Sequence, residues 1–240
     1  LKKVQKKYLM KKNKVTAVVI ARKGSKRLPG KMYKNFEGKS LITLKISQLL
    51  KSKVDEIAVG SDDERLEKIC EKFKSNKVKF YLREEKYCDE ISTTPNDMIK
   101  NMLSFFESDT ILWAHPTNPT TNHKDYNKSL SQYFHNLKKG KDSLYAVSKL
   151  NDYFWDHNKK PINHDPLEKT HTLLKQHKIK YIYVDNGAIY IRKHKDMIKD
   201  GRFWGPKGFM YVMNDTDGWD INTKWDLDAC KLKSFKNKNF

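Results

Sequence analysis

Val15-Thr-Ala-Val-Val-Ile-Ala21 runs directly into Arg22-Lys23-Gly24-Ser25-Lys26-Arg27-Leu28-Pro29-Gly30-Lys31. The first seven residues are β-branched and apolar without alternation, the pattern of a strand covered on both faces. The loop that follows reads either as a lysine-rich surface loop or as a cradle for an anion. Gly24 and Gly30 let the backbone come close, so that N–H groups can point inward. Ser25 adds a hydroxyl donor, and Arg22, Lys26, Arg27 and Lys31 add four cations. The spacing is neither GxxxxGK[ST] nor GxGxxG, so neither a Walker A loop nor a dinucleotide fingerprint is present.

Outward from this stretch, strand-like and helix-like segments alternate. A helix is expected near Leu41–Leu50 and a strand at Val54–Gly60. A second helix is expected from a cap at Ser61 to about Lys74, then a strand at Val78–Leu82. Thr94–Phe106 reads as helix, with Pro95 at its tolerated first position. Thr110–Ala114 is the fourth strand, and His123–Leu137 is helical. Asn186–Arg192 and Gly208–Met213 return as strands, and Thr223–Leu232 closes as a helix. The fold class is therefore α/β, a mostly parallel sheet with helices on both faces. In such sheets ligands sit beyond the carboxyl ends of the strands. Residues 153–180 are polar, aromatic and irregular, as expected of an inserted arm. No repeat or linker interrupts the chain, so residues 13–240 are read as one domain. The chain opens on Leu and Met10 looks like an ordinary start, so residues 1–9 are expected to be an upstream extension, and 1–12 as a whole is read as a basic N-terminal extension of the domain.

Composition bounds the partners. The 240 residues carry 49 Lys+Arg against 29 Asp+Glu, a formal net charge of +20. Only six of the basic residues are arginine (22, 27, 65, 83, 192 and 202). Nucleic-acid grooves use arginine heavily for its planar fork, and no aromatic–arginine interleaving suggests a stacking platform. Lysine-rich coding bias accounts for most of the charge, and nucleic acid is not expected as a partner. The longest apolar run is strand-sized, so no membrane span is expected. Cys70, Cys88 and Cys230 are scattered and odd in number. They fit neither a disulfide framework nor a CxxC site, and point to a reducing, cytoplasmic setting. The eight histidines show no HxH or HExxH spacing.

Seven blocks in order carry a more specific signal. The A-R-x-G-S-K-x-x-P-x-K loop resembles the signature of the acylneuraminate cytidylyltransferases, the CMP-sialic acid synthetase family. Asn35-Phe-Glu-Gly-Lys-Ser-Leu-Ile42 continues the match, and Val59-Gly-Ser-Asp-Asp63 is similar to V-S-T-D-D. Arg83, Asp89 and Thr93/Thr94 resemble R-P-x-x-L-x-x-D-x-x-x-S. His115-Pro-Thr-Asn-Pro119 stands for Q-P-T-S-P, Asn186-Gly-Ala-Ile-Tyr-Ile191 matches N-G-A-I-Y-I, and Asp220-Ile-Asn-Thr223 with Asp226-Leu227 resembles D-I-D-T-x-x-D-L.

The resemblance implies a Rossmann-like nucleotidyltransferase with a small inserted dimerisation lobe, working as a homodimer. It implies attack of a sugar acid's anomeric oxygen on the α-phosphorus of CTP, with pyrophosphate leaving. Charge then builds on phosphoryl oxygens, so positioning and electrostatics carry the rate. By position Ala21, Arg22, Gly24, Ser25, Lys26, Arg83, Thr93 and Thr94 would hold CTP, with Arg22, Lys31 and Asp220 catalytic. Thr94 reads equally as a helix cap. Asp220 and Asn222 would hold Mg²⁺, with Asn222 in place of the family's second Asp. His115, Lys175, Gln176 and Asn186 fall on the side of the acceptor, an acidic nine-carbon sugar of the sialic type. Departures gather there: His115 replaces Gln, and Thr170–Lys180 lacks R-x-Q-x-L-P. Met32 also replaces the Asn that follows the loop lysine. Two other readings stay open: the same chemistry on KDO or another 3-deoxy sugar acid, and a degenerate relative that binds nucleotide or RNA.

Overall fold

The computed structural model describes residues 13–89, 91–167, 180–214 and 217–236. The first strand, β1 (Val15–Ile20), leads through the basic loop and a single 3₁₀ turn (Lys31–Tyr33) into a small hairpin, β2 (Asn35–Phe36) and β3 (Lys39–Ser40). Then come α1 (Leu41–Leu50), β4 (Glu56–Ser61), α2 (Arg65–Glu71), β5 (Val78–Leu82), α3 (Pro95–Leu103), β6 (Thr110–Ala114) and α4 (His123–Leu137). The chain closes with β7 (Ser143–Leu150), β8 (Ile182–Lys193), α5 (His194–Asp200), β9 (Phe209–Met213) and α6 (Lys224–Lys236).

Seven strands form one sheet in the order β5-β4-β1-β6-β8-β7-β9. Strands β5, β4, β1 and β6 are parallel, β8 is antiparallel to both its neighbours, and β9 is parallel to β7. This is the mostly parallel sheet expected from the sequence. The centre lies at β1, whose Ala17, Val18 and Val19 are fully buried. Alternation divides them between two layers. Ala17 and Val19 pack with Ile42, Ile46 and Leu49 of α1 and Tyr126, Leu130 and Tyr133 of α4. Val18 packs on the other face with Ile99, Met102 and Leu103 of α3 and Met197 of α5. An unbroken apolar strand is what burial on both faces requires. Among the described residues no helix is long and apolar enough to cross a membrane.

Side-chain hydrogen bonds set several boundaries. Ser40 caps α1 by accepting from the Thr43 amide, and Asn122 with Asp125 makes a capping box on α4. Thr94 caps α3, with Pro95 in the first turn. The helix expected from Ser61 starts later, at Arg65. Ser61 stays in β4, where its hydroxyl accepts from the Asp63 amide, and Asp63 turns its carboxylate onto Arg65 and Tyr33. The sequence pattern does not announce β7 or α5, and β8 runs four residues further upstream than Asn186-Gly-Ala-Ile suggests. Between β7 and β8 lies the irregular segment. Asn163 pins its described part, accepting from the Phe154 amide and donating to the carbonyls of Asp152 and Lys180.

Candidate active site at the carboxyl ends of the parallel strands

β1 makes its last ladder bond when the Ala21 amide donates to Gly60 O at 3.0 Å. Beyond it the loop is fixed at two points. The Lys23 amide donates to Asp62 Oδ1 at 2.8 Å, and Leu28 is buried with Phe36, Leu41, Ile221 and Leu227. Gly30 takes the left-handed conformation (φ 62°) that turns the chain into Lys31. Between the anchors, the amides of Gly24, Ser25, Lys26, Arg27 and Leu28 donate to no group among the described residues. Open amides on a glycine-containing loop, surrounded by cations, make a concavity chemically suited to an anion.

A cavity of about 650 Å³ lies against this loop. Ala21, Arg22, Ser25, Lys26, Arg27 and Lys31 form one wall. Arg83, Tyr87, Cys88, Asp89, Thr93 and Thr94 form a second, and His115, Thr117, Gly187 and Asp220 a third. Every residue assigned to CTP from the sequence lines it except Gly24, which sits in the loop without facing it. Tyr87, Cys88 and Met98 join the wall from outside the motif positions, and Gly187, within the N-G-A-I-Y-I block, joins it without having been assigned to the site.

Arg83 is buried, and its guanidinium organises the second wall. Nε donates to Asn101 Oδ1 at 2.9 Å, and Nη2 donates to the carbonyls of Tyr87 (2.9 Å) and Met98 (3.4 Å). Nη1 makes no hydrogen bond among the described residues. Gly60 leaves room for the arginine's stem, since a Cβ there would lie 2.9 Å from Arg83 Cδ and 2.2 Å from Met102 Sδ. That is a spatial reason for glycine at the second position of Val59-Gly-Ser-Asp-Asp63.

Lys31 is also buried, and Nζ donates to the Ile221 carbonyl at 2.9 Å. Burial pushes its pKa below the usual lysine range, Asp220 opposes that shift, and Arg27 and Arg22 reinforce it. An ammonium in that position gains when an anion arrives. Asp220 accepts from the Asn222 side-chain amide at 2.7 Å through Oδ2, and Oδ1 has no hydrogen bond among the described residues. Asn222 therefore presents its nitrogen to Asp220, and serving as a metal ligand would require the amide to turn over. Asp226 is already engaged, accepting from the amides of Asn222 and Thr223 at the start of α6. No group of three acids or histidines among the described residues could hold a metal by itself.

His115 Nδ1 lies 2.6 Å from the Gly187 carbonyl. A carbonyl only accepts, so Nδ1 carries the proton and Nε2 is left as an acceptor. Burial lowers the imidazole pKa, which favours the neutral ring, against the opposing pull of the Gly187 carbonyl and Asp220. Its edges meet Tyr190 and Phe203.

A second cavity of about 1000 Å³ adjoins the first, and Gly187 and Asp220 line both. Its walls carry Asp152, Asp185 and Asp226, the amides of Asn151, Asn186 and Asn222, Lys149, and the rings of Tyr190, Trp204 and Trp219. Acceptors, amides and aromatic faces suit a polyhydroxylated ligand. Asn186 lies in this wall with its side chain occupied: Nδ2 donates to Ser148 Oγ and Oδ1 accepts from the Ala188 amide. Lys175 and Gln176 lie outside the described residues.

Comparison with known proteins agrees with this geometry. The profile of the family described as Cytidylyltransferase matches residues 16–211. The chain is 24% identical over 226 residues to the pseudaminic acid cytidylyltransferase of Campylobacter jejuni, covering 90% of this chain and 94% of that one. A shorter stretch of 58 residues is 38% identical to the 3-deoxy-manno-octulosonate cytidylyltransferase of Pseudomonas syringae, 24% of this chain and 23% of that one. Among solved structures, CMP:2-keto-3-deoxy-manno-octonic acid synthetase complexed with CTP superposes with a TM-score of 0.66 at 15% identity, over 94% of this chain and all of that one, a likeness of fold. With the profile spanning β1 to β9 and the cationic cavity at the carboxyl ends of the strands, the chain belongs to the cytidylyltransferase family and is a nucleotidyltransferase that uses CTP.

Proposed function

We propose that this chain transfers CMP from CTP to the anomeric oxygen of a sialic-acid-type nonulosonic acid. The anomeric oxygen bonds to the α-phosphorus, the bond from that phosphorus to the bridging oxygen breaks, and pyrophosphate leaves. The observation that carries the reading is the wall the two cavities share: Asp220 and Gly187 line both the cation-lined cavity and the polar, aromatic one. A relative matched over nearly its whole length acts on pseudaminic acid, itself a nonulosonic acid, which supports that class of acceptor. The short match to the octulosonate enzyme keeps KDO-type acids as the second reading.

In this scheme the open amides of residues 24–28, with Arg22, Ser25 and Lys26, hold the triphosphate. Arg83, Thr93 and the wall they share take the nucleoside end, although the Thr94 hydroxyl is spent on Asp97 as a cap. Lys31 meets the charge that grows on the phosphoryl oxygens. His115 offers Nε2 to a donor on the acceptor, and Asn186 shapes the acceptor wall from behind. Mg²⁺ is the proposed cofactor. Such an ion is commonly held by one or two carboxylates together with substrate phosphates and water, and Asp220 with its open Oδ1 fits that donor set. The ion would neutralise phosphate charge. Asn222, which donates to Asp220, would orient the carboxylate. Trp155 and Ile162 are exposed on the arm between β7 and β8, which supports a second copy docking there. Three free thiols suit a reducing cytoplasm.

The test is pyrophosphate release from CTP, ATP, GTP and UTP with a panel of 2-keto sugar acids including sialic, pseudaminic, legionaminic and KDO acids. Turnover with CTP and a nine-carbon acid is expected. Turnover with KDO alone establishes the second reading, and no turnover with any acid, together with salt-sensitive RNA binding, removes the enzymatic one.

A further inference from the structure

A lysine stands where α1 should present an aliphatic side chain. Leu41, Lys45 and Leu49 are spaced by four and all point into the core, and Lys45 is fully buried. Its Nζ is surrounded by three oxygens: the Asn118 carbonyl at 2.8 Å, the Thr121 carbonyl at 3.4 Å and Tyr126 Oη at 2.5 Å. The nearest carboxylate that affects it, Asp125, acts through space rather than by contact.

Counting donors points to the state of this group. The two carbonyls only accept, so each takes an N–H from Lys45. If Lys45 is an ammonium, its third N–H goes to Tyr126 Oη, and the fully buried Tyr126 O–H then has no acceptor among the described residues. If Lys45 is an amine, Tyr126 O–H donates to the Nζ lone pair and every group is satisfied. Buried polar groups are overwhelmingly paired, so the amine is favoured. Burial acts in the same direction and brings the Lys45 pKa down to about 7, while raising that of Tyr126 so that the phenol keeps its proton. The other titratable groups facing Lys45 are Asp125 on α4, which favours the ammonium, and His115 in the turn after β6.

The turn that Lys45 fastens carries much of the site. Asn118 Nδ2 donates to the carbonyls of Asn186 (3.0 Å) and Gly218 (3.4 Å). Thr121 Oγ1 donates to Asp217 O at 2.6 Å, and the Thr117 carbonyl accepts from the Ile221 amide at 2.8 Å. The segment bearing Asp220 is thus hung from the turn at both ends. We propose that Lys45 is a positioning residue of the active site: an uncharged amine that holds the His115–Thr121 turn from behind and thereby sets His115, Thr117 and Asp220. The inference rests on the transferase reading above and adds to it a residue that touches neither substrate.

Lys45→Met fills the same slot without donors. The expected result is a folded protein whose kcat falls by about tenfold or more while KM for CTP stays within about threefold, because the 24–28 cradle is untouched. Tyr126→Phe keeps both N–H bonds and is expected to hold kcat within about threefold. Two nitrogen-15 signatures test the proposal without turnover. In wild type, one lysine Nζ should resonate outside the ammonium region above about pH 8 and enter it below about pH 6. His115 should show the Nδ1–H tautomer in wild type and lose that bias in Lys45→Met. Wild-type kcat in folded Lys45→Met, an unchanged His115 signature there, or an ammonium Lys45 at every pH overturns the proposal. If Lys45→Met does not fold, the wild-type Nζ signal and Tyr126→Phe decide it. Wild type that turns over no acid would indict the acceptor reading, and the two nitrogen signatures would still decide the role of Lys45.

Discussion

Replacing Lys31 with methionine separates binding from catalysis at the heart of the site. The thioether chain fills a slot in which the lysine is only 9% exposed, so no large cavity opens. Folding loses the charge-assisted bond to the Ile221 carbonyl at 2.9 Å, worth about 1.5–3 kcal/mol. It regains the cost of burying an ammonium, the cost that depresses the lysine's pKa, so net stability should move little. The transition state is affected differently. A unit charge about 4 Å from another in a partly buried setting interacts by about 4 kcal/mol. Removing one preorganised donor from a charge-accumulating site typically costs about 2.7–4 kcal/mol, or about 10²–10³ in kcat. Ground-state CTP keeps Arg22, Lys26, Arg27 and the open amides of Gly24 to Leu28, so its KM should rise only severalfold. A continuous pyrophosphate-release assay at saturating sugar acid, varying CTP, reads both constants. If kcat stays within about threefold of wild type while KM climbs more than about tenfold, Lys31 binds CTP equally in both states and its assignment to the transition state fails.

Gly60→Ala should displace Arg83 and Met102, cost about 1–3 kcal/mol of stability, and weaken CTP binding in calorimetry, whereas a surface change away from the cavity such as Asn76→Ala should leave it unchanged; an unchanged CTP affinity in Gly60→Ala would show that Arg83 does not shape the nucleotide wall. Asp63 accepts from Arg65 and Tyr33, and the Arg65 hydrogen bond leads in holding its carboxyl at about 2 instead of the ordinary 3.8. This stability is fully present above about pH 4 and is lost as pH falls through about 2. The shift amounts to about 2.4 kcal/mol, trimmed to about 1–2 kcal/mol because Arg65 is 64% exposed. Asp63→Asn should therefore destabilise by that amount in urea at neutral pH and by much less near pH 2, and an equal loss at both would show that the charge is not involved. Asn222→Asp sets a second carboxylate against Asp220, replacing a 2.7 Å hydrogen bond with like charges. Its melting temperature should fall without Mg²⁺ and recover on titration with the ion, whereas a Mg²⁺-independent melting curve would place residue 222 outside any cation's reach.

The legible parts of the sequence were those in which local chemistry and burial agree. The unbroken run from Val15 to Ala21 signals a strand buried on both faces, and the limits of β5, β6 and α4 fall where the residue pattern places them, although β5 is an edge strand without a buried residue. The cationic character of the first loop was legible too, since five basic residues and two glycines fall within residues 22–31. Less was visible where a side chain's role depends on a distant partner. Ser61 looks like a helix cap until Asp63 is seen to take up the turn. β7 is hidden because its ends are buried unequally and it pairs with β8 across a register shift between Tyr145 and Val147.

What the sequence determined by itself is therefore the α/β class, the order of its early strands and the cationic, glycine-containing character of the first loop. All of these follow from the periods of strand and helix and from residue chemistry read locally. Tertiary structure alone decided which residues meet. It brings Arg83, His115 and Asp220 to one cavity from positions far apart in the chain. It turns the Asn222 nitrogen toward Asp220 and commits the Asn186 side chain to Ser148 and Ala188. It also encloses Lys45 among three oxygens. One-dimensional pattern records the face on which a residue lies, as the spacing of Leu41, Lys45 and Leu49 does. The desolvation and hydrogen-bond partners that set its charge come from other elements, and only the packed fold brings those into contact.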